Sequence, residues 1–66
     1  MEPKFPEVKV QLTGEDGNVF AVIGAVSKAL RRAGKAQEAN DFSKAAMSCG
    51  SYDEVLQLCM KTVEVS

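Results

Sequence analysis

Val8, Val10 and Leu12 alternate with Lys9 and Gln11. A period of two puts one face of a strand in a core and the other in water. Gly14-Glu15-Asp16-Gly17-Asn18 then supplies turn residues. Beyond them the period lengthens. From Val19 to Ala33, residues Val19, Val22, Ile23, Val26, Ala29, Leu30 and Ala33 share one broad stripe at 100° per residue, with Phe20 on its flank. The pattern predicts a helix. Asn18 or Asp16 can cap it by accepting a first-turn amide, and Glu15 and Asp16 suit the positive end of its dipole. Gly34 stands where a left-handed residue ends a helix, and Arg31, Arg32 and Lys35 suit the negative end.

The opposite face of this helix changes along its length. Its first half carries Ala21, Gly24 and Ala25; its second carries Lys28, Arg31, Arg32 and Lys35. A helix with no polar side is usually covered all round. Gly24 also costs about 1 kcal/mol relative to alanine in a helix interior. The expectation is that the N-terminal arm, another helix or a second copy of the chain packs closely over Ala21, Gly24 and Ala25.

A second helix is predicted from Ala36 to Met47, with a narrow stripe of Ala39, Phe42 and Ala46; Cys49-Gly50 ends it. Ser51 followed by Glu54 is a capping box that opens a third. Tyr52, Val55, Leu56, Leu58, Cys59, Met60 and Val63 cover its wide apolar face. The helix is expected to reach about Lys61 and to give way to a short strand over 62–65. A lone strand is unstable. So residues 62–65 pair with 8–12, or two chains pair their first strands. Pro3 and Pro6 mark residues 1–7 as an extended arm, with Phe5 tucked against the core edge. The fold class expected is a small α+β domain over 1–66: an N-terminal strand, three helices and a short C-terminal strand.

At 66 residues such a chain buries only about 60% of its unfolded surface, and one core supplies roughly 3–5 kcal/mol. Homodimerisation would relieve that limit. A net charge of −1 marks the chain for neither nucleic acid nor membrane, and no apolar run is long enough for a span. Two cysteines without a CxxC spacing read as free thiols of a reducing cytoplasm.

Little catalytic chemistry is offered. There is no histidine, which removes the commonest general base and metal ligand. The turn before the first helix matches no phosphate-binding pattern, and Glu15 and Asp16 would repel a phosphate. Those two adjacent acids make a poor metal site. Cys59 lies on an apolar face, where a thiol behaves as a small hydrophobe. No catalytic residue, metal or cofactor is assigned, and the chain is read as a non-enzyme. The candidate interaction surface is Ala21, Gly24, Ala25, Lys28, Arg31, Arg32 and Lys35. A protein partner or a second copy is the first expectation. Weak nucleic-acid binding through the basic face is the alternative.

Gln11 to Gly14, Asp16 to Asn18, Phe20, Gly24, Val26, Ala29 to Arg31 and Ala33-Gly34 form a block, followed by Tyr52-Asp53, Leu56 and Cys59-Met60. This arrangement resembles a family of short, functionally uncharacterised bacterial and phage proteins. The chain departs from that pattern at Thr62, where the family has tryptophan, and at Cys49-Gly50-Ser51, where it has an acidic residue. The resemblance implies a shared fold and brings no catalytic residue with it.

Overall fold

A computed structural model describes residues 2–12 and 18–65. In chain order they form β1 (Phe5–Val10), α1 (Val19–Arg32), α2 (Ala36–Met47), α3 (Tyr52–Thr62) and β2 (Val63–Val65). This is the expected α+β domain. The strand begins three residues earlier than its alternation suggests. Phe5, Pro6 and Glu7 belong to β1 rather than to a free arm, and the strand stops at Val10 instead of Leu12. Proline is tolerated there because an edge strand can spare a donor.

β1 and β2 form a two-stranded parallel sheet, pairing Phe5 with Val63, Lys9 with Glu64 and Val10 with Val65, with an irregularity between Phe5 and Lys9. Parallel strands need a long crossover, and the three helices lie within it. Lys4 also donates its amide to the Lys61 carbonyl at 2.8 Å, which fastens the start of the chain to the end of α3.

Local chemistry sets the helix ends. The Asn18 side chain accepts the Phe20 amide at 2.9 Å. Gly34 adopts φ of 79°, the left-handed conformation that glycine takes without Cβ strain. Ser51 Oγ accepts the Glu54 amide at 3.2 Å, while the Glu54 carboxylate accepts from Gly50 N–H at 2.6 Å. The reciprocal arm of the box therefore reaches one residue before the cap. Glu15 and Asp16 fall outside the described residues.

Val8, Val10, Val22, Ile23, Val26, Leu30, Ala39, Phe42, Ala46, Val55, Cys59 and Val63 make the core. Three expected apolar-face residues lie elsewhere. Phe20 is 66% exposed, Met60 is 52% exposed, and Ala33, the C-cap of α1, is also exposed. The stripe of α1 instead includes Ser27, which is buried and shares a 2.7 Å hydroxyl hydrogen bond with Ser43 of α2. A buried hydroxyl requires such a partner.

Candidate interaction surface

The exposed side of α1 is a ridge between two grooves. On one flank, Phe20, Ile23, Gly24, Ser27, Lys28, Arg31 and Arg32 meet Ser43 and Met47 of α2 around a groove of ≈ 620 Å³. On the other, Ala25, Lys28, Ala29, Arg32 and Ala33 face Glu7 to Gln11 of the first strand and its end, around ≈ 480 Å³.

The residues singled out from sequence divide between these places. Gly24 and Arg31 belong to the α2 side and Ala25 to the β1 side, while Lys28 and Arg32 border both. Ala21 is half-buried in the first half of the helix. Lys35 is separated from them. It forms an ion pair with Glu7 at 3.5 Å and lies 5.0 Å from the Phe5 ring centre, so its charge serves an internal contact. Lys4 approaches the same ring at 5.4 Å, so two cations lie within cation–π range of Phe5.

The expectation that the arm or another helix covers Gly24 is overturned. Among the described residues, no atom outside its own helix surroundings lies within 4 Å of a Cβ placed there, and Gly24 is exposed. The reason is the spacing of α1 and α2. Their contact includes Ser27, which bonds to Ser43 of α2 about a sixth of a turn around the helix from Gly24. Among the described residues, no contact explains the lost helix propensity at this position.

Beside this opening lie two large apolar side chains in water. Phe20 is 66% exposed and Met47 63% exposed. Met47 was not legible as a surface residue of interest. Its signal is that it falls one step beyond the Ala39, Phe42, Ala46 stripe. At the other end of the groove, Arg31 donates to the Asn40 side chain at 3.3 Å. Among the described residues, Lys28, Arg31 and Arg32 have no carboxylate partner. No carboxylate lines the groove. The surface thus combines an apolar end with an uncompensated cationic end.

The thiols behave differently. Cys59 is fully buried. Burial, reinforced by Cys49, pushes its pKa up to about 11, so the nucleophilic thiolate is suppressed. Cys49 is half-buried and donates to the Ala45 carbonyl at 3.5 Å. Among the described residues there is no cluster of three or more metal-ligating side chains, and no helix is long and apolar enough to cross a membrane. No known protein family, curated protein or solved structure matches the chain.

Proposed function

We propose that the protein is a small non-catalytic interaction module, and that the groove between α1 and α2 receives an acidic amphipathic segment of a partner protein. One observation carries this reading. Phe20 and Met47 are exposed beside the open Gly24, within reach of Lys28, Arg31 and Arg32. An amphipathic helix laid in such a groove would bury its apolar anchors on Phe20 and Met47. The missing Cβ at Gly24 allows close backbone approach, and carboxylates on the segment would meet the three cations. The likeness to the family of short proteins brings no activity with it, so the reading rests on this surface.

Titration with synthetic amphipathic helical peptides, followed by NMR chemical shifts, tests it. Acidic peptides are expected to shift Phe20, Gly24 and Met47 together with Lys28 and Arg31. R31E/R32E should abolish the effect. Basic peptides of the same apolar pattern should not bind.

A second reading follows from the same uncompensated cations. A nucleic-acid backbone would engage Lys28, Arg31 and Arg32 without Phe20 or Met47. Its binding would fall steeply with salt. Shifts confined to the basic end on adding DNA or RNA at low salt would favour this reading over the first.

A further inference from the structure

We infer that the free edge of β1 pairs with the β1 of a second copy, antiparallel about a two-fold axis through Val8, to make a four-stranded sheet across a homodimer. This is independent of the groove between α1 and α2. The sheet holds two strands, so β1 has one paired edge and, among the described residues, one unpaired edge. Parallel pairs are normally found inside larger covered sheets, and two strands alone are marginal.

The space beside that edge has the form an added strand requires. Glu7 to Gln11 line it in unbroken succession, and Ala25, Lys28, Ala29, Arg32 and Ala33 lie opposite them. A neighbouring strand would lie about 4.8 Å from β1. The small side chains of Ala25 and Ala29 leave room there for its backbone, and the long Lys28 and Arg32 side chains border it.

Charge then selects the register. From Glu7 to Val10 the strand alternates exposed and buried, so opposite residues in an antiparallel pair must share a face. The pairing is therefore centred on a residue. Centred on Val8, it places Val8 against Val8 of the copy, and Glu7 against Lys9 twice over. Centred on Lys9 it would set lysine against lysine; centred on Glu7, glutamate against glutamate. An edge lysine alone discourages association, but Glu-Val-Lys is self-complementary when read antiparallel. Both Glu7 and Lys9 are exposed, and Glu7 can exchange its contact with Lys35 for one across the axis.

Sedimentation equilibrium between roughly 10 µM and roughly 1 mM brackets weak association. The native chain is expected to shift from monomer to dimer across that range. Its β1 amides should gain hydrogen-exchange protection as the dimer forms. Lys9→Glu and Glu7→Lys each replace two attractions with two repulsions, and each alone should weaken the dimer at least about tenfold. Mixed together they restore opposite charges at both positions, so the mixture should form a heterodimer although neither variant self-associates. Both sites are exposed, and unchanged circular dichroism will show that the variants fold. A native chain that stays monomeric throughout overturns the inference. So does a dimer indifferent to both charge reversals, or one that is lost in Gly24→Leu but kept in Lys9→Glu.

Discussion

Cys59 shows how burial governs a single group. Its thiol is raised to about 11 from 9.0, chiefly by loss of solvent and secondarily by Cys49. Below pH 9 both folded and unfolded chains hold the proton, and this group leaves stability flat. Between about 9 and 11 the unfolded chain releases it while the folded chain retains it, so stability falls by up to about 1.4 kcal/mol per pH unit. Urea unfolding at a series of pH values should show this loss on the alkaline side, and C59A should remove that component. In the native state at pH 8, a thiol reagent is expected to label Cys49 and spare Cys59, with both labelled in denaturant. The core position of Cys59 was legible from its place on the apolar face of α3. The burial of Ser27 was not, because a lone serine in a helix carries no mark of the hydroxyl it will meet on another helix. S27A should cost about 1 kcal/mol, the usual worth of one such hydrogen bond, measured by the shift in urea midpoint.

Elements obey local rules here, and their ends were the most legible features of the chain. Asn18, Gly34 and Ser51 occupy the cap positions that their chemistry implies. S51A is expected to lower stability by about 1 kcal/mol through the exposed first-turn amide of α3. Gly24 gives the opposite prediction. With no Cβ contact to oppose it, G24A should stabilise the protein by about 0.5–1 kcal/mol and raise the melting temperature in calorimetry. If the proposed groove is used, the same substitution weakens peptide binding. A residue that costs folding energy and serves no internal contact is the combination expected at a binding surface. Faces were less legible than ends. Periodicity placed Phe20 on the flank of one apolar face and Met60 within another, yet both are exposed, because a stripe's width depends on how many neighbours arrive to cover it.

At the scale of the molecule, β2 joins the two ends of the chain. Val63 is fully buried and the three-residue strand supplies the partner of β1. For a domain whose core yields only roughly 3–5 kcal/mol, losing that pairing should be decisive. Deletion of residues 63–66 is expected to abolish the cooperative thermal transition in circular dichroism.

Periodicity, caps and turn residues determined the element order, because each depends on neighbours within a few positions along the chain. They also determined the face of each helix that carries the core. Tertiary structure decided what lies over those faces. It paired one edge of β1 with β2, turned the second half of the supposed arm into the beginning of a strand, and drew Lys35 away to Phe5 and Glu7. It also left Gly24 open between Phe20 and the basic end of α1. Those outcomes depend on distances between residues far apart in sequence, which local preferences do not encode.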